Sequence, residues 1–167
     1  LIPGYYLAVY HNDRLVIELS QGLASEADGL LPSANTLYAI MSMTKPIVSL
    51  ATLKLVDQGK LKLTDPVKKF IPEFAKLLVV EDGDLDSPAE ELKRDITIHD
   101  LLTHTSGLTY SEDITGQEEI AEVYADLEIL PLDGLANTKI GGLKEHIAQL
   151  VQLPLVSQPG EKFIYSV

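Results

Sequence analysis

Ser42-Met43-Thr44-Lys45 sets a hydroxyl and an amine three residues apart. Residues so spaced on a helical turn share one face, which brings the lysine amine within reach of the serine hydroxyl. A serine hydroxyl is a weak nucleophile until a neighbouring base takes its proton. A lysine amine can be that base only when burial or a nearby positive charge lowers its pKa. The stretch that follows, Lys45 to Gln58, is apolar on nearly every face through Ile47, Val48, Leu50, Ala51, Leu53, Leu55 and Val56. A helix apolar all round is normally central to its domain, so a buried setting is expected. The start of such a helix also aims backbone N–H groups at the site, which favours an anionic intermediate. Pro46 has no N–H to give the Ser42 carbonyl. The regular helix is therefore expected to begin near Thr44, with Ser42 on a tighter turn before it. A second candidate is Tyr165, in Pro159-Gly160-Glu161-Lys162-Phe163-Ile164-Tyr165-Ser166-Val167. A phenol relays protons or stabilises charge when a cation depresses its pKa; taken alone, a tyrosine beside an apolar run reads as a core or interface residue.

Other groupings carry less chemistry. His99 and His104 stand five residues apart, a poor spacing for two metal ligands on one helical face. His104 reads as structural, hydrogen-bonded within the Thr105-Ser106-Gly107 turn. Ser106 lacks a Gly-x-Ser-x-Gly elbow and reads as a turn or capping residue. His11, in a hairpin turn, and His146, on the outer part of a helix, read as surface. Asp82, Asp84 and Asp86 alternate like the start of a calcium loop, but Ser87 stands where glycine is required and Lys93 where the closing glutamate belongs. No glycine-rich phosphate loop is present. No metal or cofactor is implied.

The elements that would position these residues follow from pattern. Tyr5 to Tyr10 and Leu15 to Ser20 read as strands of an antiparallel hairpin turning through His11 to Arg14. Gly22 to Pro32 reads as loop and Thr36 to Ile40 as a short extended piece. Gly59 is placed to stop the apolar helix. Thr64-Asp65-Pro66 reads as a helix start with proline at the first helical position, and Pro72 as its end. Glu81 to Arg94 reads as a charged surface excursion. Thr97 with Asp100 forms a variant capping box for another helix, closed by Gly107. Gln117 to Leu130 has Ile120, Val123, Tyr124 and Leu127 at helical spacing, with acids opposite. Gly142 to Leu153 repeats the pattern with Leu143, Ile147 and Leu150 and stops at Pro154. Two strands alone do not make a stable sheet, so further strands are expected from a C-terminal part outside this sequence or from a second chain.

Composition bounds the remaining classes. The 167 residues, 46% of them apolar, suffice for one domain with a sizeable core. A net charge of −12 argues against nucleic acid, whose phosphates need clustered Lys and Arg. From Asp95 to Thr138 there is no Lys or Arg, while Glu112, Asp113, Glu118, Glu119, Glu122, Asp126 and Glu128 read as a solvated acidic face. No apolar run is long enough to span a membrane. The chain has no cysteine, which excludes disulfides and a thiol nucleophile and is compatible with a cytoplasmic, periplasmic or secreted setting.

Four blocks resemble the serine β-lactamase-related family, which includes class C β-lactamases, D-alanyl-D-alanine carboxypeptidases and family VIII carboxylesterases. Ile40-Met41-Ser42-Met43-Thr44-Lys45-Pro46 resembles its nucleophile motif. Gly59-Lys60-Leu61-Lys62-Leu63-Thr64-Asp65-Pro66-Val67, leading to Ile71-Pro72-Glu73-Phe74, resembles the segment after the nucleophile helix. Leu101-Leu102-Thr103-His104-Thr105-Ser106-Gly107-Leu108 resembles a third block, and Pro159-Gly160 to Tyr165-Ser166 the Tyr-x-Asn region. The match runs from about Ile2 to the last residue.

The resemblance implies an α/β (α+β) fold of β-lactamase/transpeptidase type, an antiparallel sheet flanked by helices with a helical subdomain. Residues 1–167 would be the N-terminal portion of one catalytic domain: 1–70 the sheet hairpin and nucleophile helix, 71–167 a mostly helical region ending at the tyrosine motif. It implies that Ser42 forms an acyl-enzyme with help from Lys45, and that Tyr165 acts with Lys45 as general base and then protonates the leaving group. Val167 stands where class C β-lactamases carry asparagine, which brings the motif nearer to the esterase branch. The family's downstream Lys-Thr-Gly-like or His-x-Gly-like strand motif is absent, so this stretch alone is expected to be inactive. The expected substrate is a small-molecule acyl ester or amide, and esterase activity is the first expectation. A β-lactamase or D-alanyl-D-alanine carboxypeptidase, an acyltransferase, and a non-catalytic binding member of the same fold are the alternatives.

Overall fold

The computed structural model describes residues 3–110, 118–127, 129 and 142–166. The acidic residues Glu112, Asp113 and Glu128, the ends of the Gln117 to Leu130 helix and Val167 lie outside the described residues. The chain divides into two compact units, Leu1–Ile47 and Val48–Val167.

The first unit is built on a hairpin of β1 (Gly4–His11) and β2 (Arg14–Gly22). Asn12 and Asp13 both take positive φ, 48° and 60°, as a type I′ hairpin turn requires. The register is antiparallel with an irregularity at Val9/Tyr10. Tyr5 donates to Gln21 and Tyr6 to Glu18, each at 2.8 Å, from one strand to the other. Every residue of β2 is exposed. Residues 36–40 belong to no helix or strand.

α1 (Thr44–Asp57) begins in the first unit and runs into the second. Its end is closed by Gly59 at φ 69°. The Lys60 N–H reaches the Leu55 carbonyl and the Gly59 N–H that of Val56, each at 2.9 Å, the bonding of a Schellman motif. The expected burial of α1 is not seen: none of its residues is buried, and Ile47, Val48, Leu50 and Leu53 are exposed. The apolar pattern specifies a helix, but the core of this chain is assembled from other residues.

That core belongs to the second unit. Val67, Phe74, Leu77, Val79, Ile96, Leu108, Ile120, Tyr124, Leu150, Leu155 and Ile164 form one buried cluster. Short elements feed it: β3 (Leu78–Val79) paired with β4 (Glu90–Glu91), α2 (Ile98–Leu102), α3 (Glu118–Asp126) and α4 (Leu143–Leu150). Leu155 bridges β3, taking the Val80 N–H and giving its own to Leu78 at 2.8 Å each, while the Val156 N–H reaches Gly107 at 2.9 Å. Four expectations change. Pro66 is an extended N-cap before a 3₁₀ turn at Val67–Lys69, because its neighbour Val67 donates to the Ile96 carbonyl instead of starting an α-helix. Pro72 starts a second 3₁₀ turn, Pro72–Lys76, rather than ending a helix. Leu143 faces solvent, whereas Leu150 is buried. His146 is half-buried rather than surface, and burial pushes its pKa down. No helix among the described residues is long and apolar enough to cross a membrane.

The Thr97 capping box forms as expected: the Thr97 hydroxyl accepts from the Asp100 N–H, and the Asp100 carboxylate accepts from the Thr97 N–H. Asp100 is 3% exposed. It also receives both arms of the Arg94 guanidinium at 2.7 and 2.8 Å and the Thr97 hydroxyl at 2.7 Å. Burial alone would raise its pKa, but Arg94 and the Thr97 hydroxyl and amide outweigh burial and hold the carboxyl well below the usual carboxylate range. A pKa depressed by folding stabilises the folded state above the unfolded value, near pH 4, and that stabilisation is lost as pH falls toward the folded value. Urea unfolding of the intact protein should therefore show stability declining from about pH 4 downward. Asp100→Asn should flatten that decline and lower stability at pH 7 by about 2 kcal/mol, in keeping with loss of charged hydrogen bonds to a half-exposed arginine. A second expectation concerns Gly107, at φ 88°, where a Cβ would run into the Ser157 carbonyl oxygen and press on Leu155. Gly107→Ala should lower stability by at least about 2 kcal/mol, read from the urea midpoint.

Candidate active site

Ser42 lies in a 3₁₀ turn, Met41–Met43, immediately before α1. The Met43 N–H closes the turn on the Ile40 carbonyl at 2.9 Å, and the Thr44 N–H reaches the carbonyls of Met41 and Ser42. This is the tight turn that Pro46 demands, since the regular helix starts at Thr44. Met41 takes φ 46°, a conformation that costs a non-glycine residue energy and that clusters at functional sites. Ser42 is exposed and Lys45 is half-buried in the first turn of α1. Ser42 and Lys45 thus sit three residues apart across the junction of the 3₁₀ turn and α1.

Tyr165 is half-buried in an irregular segment of the second unit. Its ring lies 4.7 Å from the His104 ring, tilted by 36°, and 6.2 Å from that of Tyr110. His104 follows α2 and its C-cap Thr103, with φ 56°. The helix therefore ends before Gly107, where the sequence pattern puts its stop. The left-handed turn points the His104 carbonyl at the Ile164 N–H, 2.8 Å away, while its Nδ1 accepts the Ser166 N–H at 3.2 Å. The expectation that His104 bonds within its own turn is corrected: its side chain reaches the tyrosine segment. Ser106 does serve the turn, its hydroxyl accepting the Leu108 N–H at 3.3 Å.

A second tie runs through Gly160. Its N–H donates to the Thr105 carbonyl at 2.7 Å, and a Cβ there would overlap the Arg94 guanidinium. The Asp100–Arg94 pair, the turn after α2 and the Pro159-Gly160 loop are thus one packed arrangement. Ser42 and Lys45 lie in the first unit and Tyr165 in the second. Sequence reasoning passes over Arg94 and misassigns the partner of His104. The one available signal is the histidine's place just after a capped helix, where a left-handed residue is common. Among the described residues no group of three His, Cys, Asp or Glu is arranged to hold a metal ion. Asp84 instead accepts from the Asp86 N–H and the Ser87 hydroxyl in a local turn.

Comparison with known proteins bears on the family and the fold. The chain is 37% identical over 168 residues to Protein Rv1367c of Mycobacterium tuberculosis, covering 99% of this chain and 39% of that protein. It is 37% identical over 166 residues to esterase EstB of Burkholderia gladioli, covering 99% of this chain and 38% of the esterase. Among solved structures it is similar to EstCE1, a hydrolase with promiscuous acyltransferase activity, with TM-score 0.72, 26% identity, and coverage of 99% of this chain and 39% of that one. The chain thus spans 38–39% of the length of these three proteins. The Beta-lactamase family profile matches residues 1–167, and with a β-lactamase/transpeptidase-like fold the chain belongs to this family of serine hydrolases.

Proposed function

We propose that the protein is a serine hydrolase that forms an acyl-enzyme on Ser42 and acts on small acyl esters. The observation that carries this reading is the strained 3₁₀ turn that presents Ser42 directly before α1, with Lys45 one turn on. In the proposed reaction Lys45 assists removal of the Ser42 proton and the hydroxyl oxygen attacks the ester carbonyl. The family resemblance gives Tyr165 the part of general base with Lys45 and then of proton donor to the departing alkoxide. Water attacks the acyl-enzyme by the same proton transfers in reverse, releasing the acid and freeing Ser42. Residues from a C-terminal part of the domain, or from a second chain, would complete the oxyanion hole and the substrate wall. Similarity to EstB supports an ester substrate. Similarity to EstCE1, with its promiscuous acyltransferase activity, favours one second reading: transfer of the acyl group to an acceptor other than water.

Intact-mass spectrometry of the protein treated with a short activated acyl ester should show one added acyl group, mapped to the Ser42 peptide. Ser42→Ala should abolish the adduct and lower kcat by about 10⁴-fold or more; retained ester hydrolysis in that variant would overturn the assignment. A butyrate ester should be turned over at least about 100-fold more efficiently than a cephalosporin, and the reverse ranking would move the reading to a β-lactamase. Added alcohol or amine should leave total acyl release unchanged if water is the natural acceptor, whereas an acyltransferase should divert most of the acyl group to the acceptor.

A further inference from the structure

We infer that His104 is a positioning residue for Tyr165, acting as a neutral acceptor that fixes the tyrosine segment by both its backbone and its ring. The inference rests on the role proposed above for Tyr165.

Three observations converge on it. The His104 carbonyl takes the Ile164 N–H at 2.8 Å, one residue before Tyr165. Its Nδ1 takes the Ser166 N–H at 3.2 Å, one residue after. Its ring packs against the Tyr165 ring at 4.7 Å. The backbone on either side of the tyrosine is thus pinned to one histidine, and the phenol ring packs against that histidine's ring at a tilt. Because Nδ1 receives a proton donor it carries no hydrogen, so the neutral ring bears its proton on Nε2.

The cost of the arrangement argues that it is specified. His104 takes φ 56°, where non-glycine residues are uncommon and histidine, asparagine and aspartate are enriched. Glycine would relieve that strain but could neither accept the Ser166 N–H nor support the ring. The placement of α2 supports the histidine in turn. Asp100 accepts from Arg94 and Thr97, and its carbonyl takes the Thr105 N–H at 2.9 Å, so the residue after His104 is anchored as well. A catalytic phenol misplaced by about 1 Å can cost 100-fold in rate, which makes such support part of the machinery although His104 itself need not touch substrate.

The test uses two variants of the intact protein. Asparagine keeps an acceptor on the same γ-carbon and tolerates left-handed φ, but it lacks the ring. Glycine tolerates the backbone and removes both acceptor and ring. Amide exchange at Ser166 should be slow in the native protein and in His104→Asn, and at least tenfold faster in His104→Gly. The kcat for butyrate ester should fall at least tenfold in His104→Gly with KM changed less than threefold, and His104→Asn should recover most of that loss. Equal Ser166 exchange in all three proteins, or kcat per folded molecule unaltered in His104→Gly, would overturn the inference. Tyr165→Phe in the same assay separates the two readings. Full activity in that variant would overturn the role of Tyr165, and with it any catalytic consequence of His104, whereas an inactive Tyr165→Phe beside a fully active His104→Gly would overturn the positioning role alone.

Discussion

The second unit is organised around one desolvated carboxylate. Asp100 sits 3% exposed, and a buried charge is tolerable only when its lone pairs are filled. Arg94, the Thr97 amide and the Thr97 hydroxyl fill them at 2.7 to 2.8 Å. This requirement shapes its surroundings. It caps α2 and draws the Arg94 guanidinium across the chain. That guanidinium occupies the space a side chain at position 160 would need. The Thr105 carbonyl then meets the Gly160 N–H, and the loop leading to Tyr165 is seated by the same group that caps the helix.

The two units differ in what holds them. The second has a continuous apolar cluster from Val67 to Ile164, and its backbone groups are tied across β3, Leu155 and Gly107. The first is held by hairpin and loop hydrogen bonds, with most of its large apolar side chains exposed. Ser42 is carried at the end of this hairpin-held unit, and its local order comes from the 3₁₀ turn and the helix that follows. The Schellman closure at Gly59 fixes the far end of that helix, so α1 is well defined as a segment even where its apolar faces remain open.

What can be read from the sequence is local. The hairpin, the Thr97 capping box, the glycine stop at Gly59 and the tight turn forced by Pro46 each follow from chemistry within a few residues, and each is present. Membership of the family is also legible, because four blocks of the motif pattern stand in order along the chain. Misreadings arise where a distant partner decides the outcome. Pro66 fails to open a helix because Val67 donates to Ile96. His104 reads as bonded within its own turn because nothing nearby announces Ser166 as its donor. The open faces of α1 are illegible for a different reason: an apolar stripe reports that a face seeks cover, not which residues provide it.

The span of the apolar cluster bears on how the molecule is made. Its members reach from Val67 to Ile164, so its first and last contributors leave the ribosome far apart in time. During synthesis at roughly 5–20 residues per second, Val67 would leave the ribosome about 5–20 seconds before Ile164. Contacts so far apart in sequence also slow the search for the native arrangement. Nascent chains would therefore spend that interval with Val67, Phe74 and Ile120 uncovered, a window in which chaperone capture competes with self-association.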